Sequence, residues 1–381
     1  MKYDYIITGA GCAGLSLLYR ILQEKELKSK KILVLDRDKK QTNDRTWCYW
    51  EKEEGLFESI VTHKWKTLEF LSEKVTKQFE LQEYEYKMIQ GVDFYSYVLS
   101  FAEKFENVTF NYEKVTHIST ENNVGKVETA NKSYEADFVF NSTPIFNPEL
   151  NIKNSLLQHF EGWNIKVKKP IFNPKIGTLM DFRISQQYGD TFMYVLPTSP
   201  TEALIEYTLF TKELLKKEAY GIEIEKYIKD YLDTENYEIT HKESGVIPMS
   251  LAKFNRENSN NEKVINIGTA GGYTKASSGY TFQFIQTGTE KIIENLRKGI
   301  NPNPEKSFRE KMFHWYDKTL LDVMLTDKLS GKDVFEILFT KIEPEKILGF
   351  LGNETRFIDE LHIMRSVPMI PFITSGIKQM K

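Results

Sequence analysis

The chain has 381 residues, enough for two domains and a large core, and its 51 Lys and Arg against 54 Asp and Glu leave a net charge of −3. That balance excludes a global basic field for nucleic acid, and two cysteines, Cys12 and Cys48, exclude a disulfide framework and fit a reducing cytoplasm. A first strand starting near residue 3 leaves no room for a signal peptide, and no apolar run approaches the roughly twenty residues of a spanning helix, so a soluble or peripheral protein is expected.

The chain opens on Tyr5-Ile6-Ile7, a short buried strand, followed by the turn Gly9-Ala10-Gly11-Cys12-Ala13-Gly14 and then Leu15, Leu18, Tyr19 and Leu22 at helical spacing. Glycines suit a sharp turn whose backbone approaches a pyrophosphate, with Ala13 and Gly14 letting the helix pack closely and its N-terminus face the phosphate charge. The second strand, 31–35, ends in Asp36, an acid placed to accept from an adenosine ribose. This is a dinucleotide site. After a polar segment comes Arg45-Thr46 among Trp47, Tyr49 and Trp50, which reads either as a surface loop or as a cover over a bound cofactor. Short strands are expected over 60–90 and a helix over about 93–105, with Phe94, Tyr97, Val98 and Phe101 on one face. Three further strands follow, the last of them 137–141, which returns the chain to the first sheet.

From 151 to about 250, longer strands joined by Pro, Gly and Ser-rich turns predict an antiparallel sheet, with one helix at about 212–232. The buried strand 263–267 then opens into Gly268-Thr269-Ala270-Gly271-Gly272, and a helix follows over about 280–296. A second strand, glycine turn and helix is what a large cofactor gripped at both ends requires, which favours FAD over a nicotinamide. The tail from about 304 is mostly helical; its apolar 364–373 stretch suits core, a lid or peripheral membrane contact. The expected organisation is a discontinuous nucleotide-binding domain (1–150 and 255–300), an antiparallel substrate domain (151–254) and a helical C-terminal region (301–381).

Histidines 63, 117, 159, 241, 314 and 362 show no paired metal spacing, so no metal site is expected. The strand 203–210 is apolar on both faces, with Ile205, Tyr207 and Leu209 opposite Leu204, Thr208 and Phe210. One carboxylate, Glu206, interrupts it. Held in apolar surroundings, a carboxyl stays protonated near neutral pH and serves as a general acid; in an edge strand it would instead point to water.

The glycine turn with Asp36, Asp44-Arg45-Thr46-Trp47, Tyr194-Val195-Leu196-Pro197, Ile205-Glu206-Tyr207-Thr208, and Gly268–Gly272 with Ser278-Gly279-Tyr280 together resemble the bacterial lycopene beta-cyclases. Arg356-Phe357-Ile358-Asp359-Glu360 with Ile363-Met364 and Val367-Pro368 is similar to that family's closing segment, so the resemblance runs from residue 4 to about 373. It implies an α/β fold with a Rossmann-like, glutathione-reductase-like FAD domain. It implies Glu206 as catalytic acid, with the position that commonly carries a second acid occupied by Tyr207. It implies cofactor contacts at Gly9, Gly11, Ala13, Gly14, Asp36, Arg45, Thr46, Gly268, Thr269, Gly271 and Gly272. The reaction implied is non-redox closure of the ψ-ends of lycopene and related linear carotenoids to β-ionone rings, with reduced FAD stabilising the cation and NAD(P)H serving only as reductant. A membrane-dissolved substrate implies peripheral contact with the cytoplasmic face of the cell membrane. The competing readings are an FAD-dependent monooxygenase or prenyl-chain reductase, and a lipid-binding flavoprotein without catalysis.

Overall fold

A computed structural model describes residues 2–257 and 262–380. In its first sheet Lys2–Thr8 lies parallel between Ile32–Asp36 and Ser133–Asn141, with Val108–Tyr112 beyond Ile32–Asp36. These strands are nearly unbroken apolar runs because both faces are covered. Ile7 and Val34 pack beneath the helices Cys12–Gln23 and Phe282–Arg297, while Ile6 and Leu33 pack against Ile118 and Val127 on the other side. Ser133–Asn141 changes partner along its length: its first half pairs antiparallel with Val124–Thr129 and its last three residues pair in parallel with Val264–Asn266. The chain therefore re-enters the first sheet some 120 residues later.

The second sheet runs Tyr237–Ser250, Ser155–Val167, Glu202–Thr211, Asp190–Ser199, Ile176–Asp181, Thr67–Leu71, Thr76–Glu80. Its last two strands come from the stretch assigned by sequence to the N-terminal block. They belong here because Leu68 and Phe70 alternate into this core, where Phe70 stacks on Phe339 of the helical tail with ring centroids 4.3 Å apart, a contact contributing on the order of 1 kcal/mol beyond its buried area. A small sheet of Thr46–Glu51, Glu85–Gln90 and His63–Trp65 ties the two cores together: Tyr49 and Ile89 pack with the first, Trp50 and Tyr86 with the second.

Helix Lys217–Leu232 covers one face of the second sheet, where Ile205, Tyr207 and Leu209 meet Tyr220, Ile224 and Ile228. Leu204 and Phe210 face the other way, toward the C-terminal helices. The last helix, Met369–Gln379, is inverted relative to an ordinary surface helix. Its small residues Ser375 and Gly376 pack inward against Asp322 and Trp315, and Met369, Ile370, Ile373 and Ile377 are exposed. No helix among the described residues is long and apolar enough to cross a membrane.

Candidate active site

The first glycine turn separates two kinds of glycine. At Gly9, with φ of +95°, an added Cβ would lie 2.2 Å from Ser142 Oγ; at Gly14 it would lie 2.0 Å from the Gly9 carbonyl oxygen. Those two are required by the turn itself. At Gly11 an added Cβ would meet nothing within 4 Å. Gly11 is also the N-cap of helix Cys12–Gln23 and supplies no side-chain cap, so the first amides of the helix face open space. That is the arrangement an anion needs. Asp36 accepts from the Ala10 amide at 2.6 Å and the Asp38 amide at 2.8 Å, so it braces the turn as well as closing the second strand.

The second turn, Gly268–Gly271 closed at Gly272, is set against the first by buried amides. Thr8 donates to Asn141 Oδ1 at 2.8 Å, Asn141 Nδ2 donates to Asn266 Oδ1 at 2.8 Å, and Asn266 Nδ2 donates to the Asn255 carbonyl at 2.8 Å. Three strand ends are locked side by side. The turns consequently touch: a Cβ on Gly268 would come within 2.8 Å of the Ala13 side chain.

Beyond Thr269 lies a cavity of about 300 Å³ that brings Arg45, Thr46, Thr269 and Glu206 together with Tyr86, Tyr194, Tyr280 and Phe282. The strand carrying Glu206 is central in its sheet, paired on both sides, so its carboxyl faces this cavity and not bulk water. The edge-strand alternative is thereby removed. Thr208 donates to Glu206 Oε1 at 2.7 Å. Arg45 donates to the Ser244 carbonyl at 3.0 Å and Thr46 to Glu243 Oε2 at 2.8 Å, so both side chains fasten the small sheet to strand Tyr237–Ser250 at the cavity wall.

Glu243 is a second carboxylate that sequence reasoning missed. Gly162 pairs with Glu206 on one side and with Glu243 on the other, which lines up the three on one face of the sheet with the acids two strands, about 10 Å of backbone, apart. A Cβ on Gly162 would stand between the two acids in ordinary contact with both, 3.5 Å from Glu206 Oε2 and 3.4 Å from Glu243 Cγ, and closest to Leu204 Cδ1 at 3.0 Å. Desolvation first, and the Glu243 charge second, push the Glu206 carboxyl up to about 8. Burial raises Glu243 too, but the Thr46 hydroxyl and the charges of His241 and Arg45 favour its anion. The surrounding phenols and the Cys48 thiol are all pushed up by burial and stay neutral.

A family model described as lycopene cyclase protein matches residues 4–376. The chain belongs to the lycopene cyclase family. No curated protein sequence is significantly similar to this cyclase-family chain. Among solved structures, a geranylgeranyl bacteriochlorophyll reductase-like protein from Thermoplasma acidophilum matches with a TM-score of 0.68 at 12% identity over 99% of each chain. A flavoprotein/dehydrogenase from Cytophaga hutchinsonii gives 0.61 at 15% identity over 100% of this chain and 99% of that one. A mutant of the halogenase PltM in complex with FAD gives 0.55 at 12% identity, covering 99% and 91%. These likenesses show the fold: a mixed α/β chain with the Rossmann-type fold seen in those proteins and a helical C-terminal region.

Within this lycopene cyclase-family site, Tyr207 has a different surrounding from its neighbour in sequence. Its side chain is fully buried on the far face of the sheet, with its ring 6.4 Å from that of Tyr220, and it contributes nothing to the Glu206 cavity. The acid beside Glu206 comes from a strand 37 residues away, and no local pattern points to it.

Proposed function

We propose that the protein is a lycopene beta-cyclase in which Glu206 is the general acid. One observation carries this reading: the Glu206 carboxyl, on a strand paired on both sides, faces an aromatic cavity, where burial and the Glu243 charge push it up to about 8. Glu206 donates its proton to C2 of the terminal double bond, leaving a cation at C1. The C5–C6 double bond attacks C1, the charge moves to C5, and loss of the C6 proton gives the β-ring, so atoms and electrons balance with no redox change. Tyr86, Tyr194, Tyr280 and Phe282 offer ring faces to the cation and keep water from quenching it. A cavity of about 300 Å³ admits one end of a long polyene, which supports ring closure one end at a time through γ-carotene.

The residues present fit FAD. The open helix end at Gly11, with Gly9, Ala13 and Gly14, would take its pyrophosphate, Asp36 lies where its ribose would run, and Gly268, Thr269, Gly271 and Gly272 lead from there to the Glu206 cavity. Arg45 and Thr46 would border its redox ring. When bound and reduced by NAD(P)H, FAD supplies negative charge beside the cavity. The exposed aliphatic face of Met369–Gln379 supports peripheral contact with the cytoplasmic membrane face, from which lycopene and related linear carotenoids would load.

Glu243→Gln separates the two causes of the raised acid. With the Glu243 charge gone, the Glu206 carboxyl releases its proton at lower pH, so the alkaline limb of the rate is expected to move down by on the order of one unit. Burial alone still holds it above the ordinary carboxylate range. An alkaline limb that does not move would remove Glu243 from the site. The reading as a whole is tested by anaerobic incubation with lycopene in liposomes after the flavin is reduced and excess reductant removed. Cyclic product of unchanged mass, well above the flavin present, is expected; product limited to one equivalent per flavin would favour a redox enzyme such as a prenyl-chain reductase or monooxygenase.

A further inference from the structure

The loop between the second glycine turn and helix Phe282–Arg297 presents Tyr280 to the Glu206 cavity, and what ties it down comes from the helical tail. The loop turns on Gly272 and Gly279, both at φ of +71°, and a segment hinged on two glycines swings unless it is anchored. Lys275 is bonded in two directions. Its amide donates to the Tyr280 carbonyl at 2.9 Å and its carbonyl accepts from the Gly279 amide at 2.9 Å, so its main chain closes the loop on the residue that bears the ring. Its ammonium, on a side chain only 1% exposed, reaches out of the loop to Asp317 of helix Phe308–Leu325 at 2.7 Å and donates to Asn353 Oδ1 at 2.7 Å.

Ser277, two residues beyond Lys275, donates to the same Asp317 oxygen at 2.8 Å. Two side chains of one loop thus converge on one buried oxygen, which sets the loop's orientation as well as its distance; an apolar contact would let it slide. Asn353 follows helix Pro344–Leu351 at φ of +62°, a left-handed conformation that asparagine tolerates. Burying a cation with a carboxylate stabilises a fold no more than apolar packing of similar volume does, so the pair is better explained by where it holds the loop. At the loop's far end Tyr280 packs edge-on against Trp50 with ring centroids 4.5 Å apart, and its hydroxyl lies 3.5 Å from that of Tyr194 in the cavity wall.

We propose that Asp317 is a positioning residue: through Lys275 and Ser277 it holds the 273–281 loop so that Tyr280 stays against the Glu206 cavity. The helical C-terminal region thereby supports the site from behind. What Tyr280 does there, offering its ring face to the cation and keeping water out, rests on the cyclase reading; where the loop is held does not.

The test compares the flavin-loaded protein with its Lys275→Met/Asp317→Val variant, which removes the pair together and leaves no lone buried charge. Hydrogen exchange of the loop amides is expected to quicken about tenfold or more, with helix Cys12–Gln23 unchanged. Unchanged exchange in the loop overturns the proposal, whether or not the protein closes rings. The rate of ring closure is then measured for both forms with Tyr280 present and in a Tyr280→Ala background. Removing the pair is expected to lower kcat about tenfold with the ring present and less than about twofold without it, because the pair acts through that ring. An equal loss in both backgrounds, or a lower Tm with kcat unchanged, overturns the proposal. Ser277→Ala, which removes one bond to Asp317 and no charge, is expected to move exchange and kcat in the same directions by about threefold, and decides the matter if the double variant does not fold. A wild type that closes no ring while the variant still exchanges faster would sink the cyclase reading and leave Asp317 as the anchor of the loop.

Discussion

Glu206→Gln is expected to lower the rate of ring closure on the order of 10³-fold while raising thermal stability. The amide keeps the shape and the Thr208 hydrogen bond but has no proton to give. The stability change follows from linkage: with the folded value near 8 and the unfolded value near 4.5, Glu206 contributes stability that is fully present below pH 4.5 and is lost as the pH rises to about 8. Gln has nothing to ionise, so the advantage of the variant grows across that window, toward an upper bound of about 5 kcal/mol. Thermal unfolding from pH 4 to 9 beside the rate assay checks both signs together. A variant that is inactive and also less stable at pH 8 would mean that Glu206 holds the fold and is ionised.

Gly11→Asp is expected to abolish flavin retention, by about 100-fold or more in affinity, with the fold intact. The backbone at Gly11 has φ of −86°, open to any residue, and no atom lies within 4 Å of the added Cβ. An aspartate there caps helix Cys12–Gln23 and leaves apoprotein stability unchanged or slightly higher. The same carboxylate occupies and repels the place of a pyrophosphate. Flavin absorbance of the purified variant and the Tm of the apoprotein decide this. Full flavin content would show the turn to be structural only, and the bulky neighbours of Gly9 and Gly14 make substitutions there unable to tell the two apart.

The parts legible in sequence are those encoded by neighbours along the chain. The strand, glycine turn and helix at each end, the apolar run into Asp36, and the two-faced strand around Glu206 depend on local spacing, and the structure has them at those places. What escaped depends on sheet register. Glu243 stands beside Glu206 because Gly162 pairs with both, a fact about two strand pairings that no single segment contains. The strands at 67–80 join the second sheet through Phe70 and Phe339, 269 residues apart. The last helix shows an apolar stripe in sequence, but only its packing reveals that Ser375 and Gly376 face inward and the aliphatic side faces out.

The most direct test of proton donation without redox is cyclisation in deuterium oxide under anaerobic conditions, with prereduced flavin and product analysed by mass. Expected is one deuterium per ring formed, at C2, with no reductant consumed per turnover and with the label and product both lost in Glu206→Gln. Product carrying no solvent deuterium, or product formed only in step with reductant oxidised, would contradict an acid-catalysed cyclisation at Glu206.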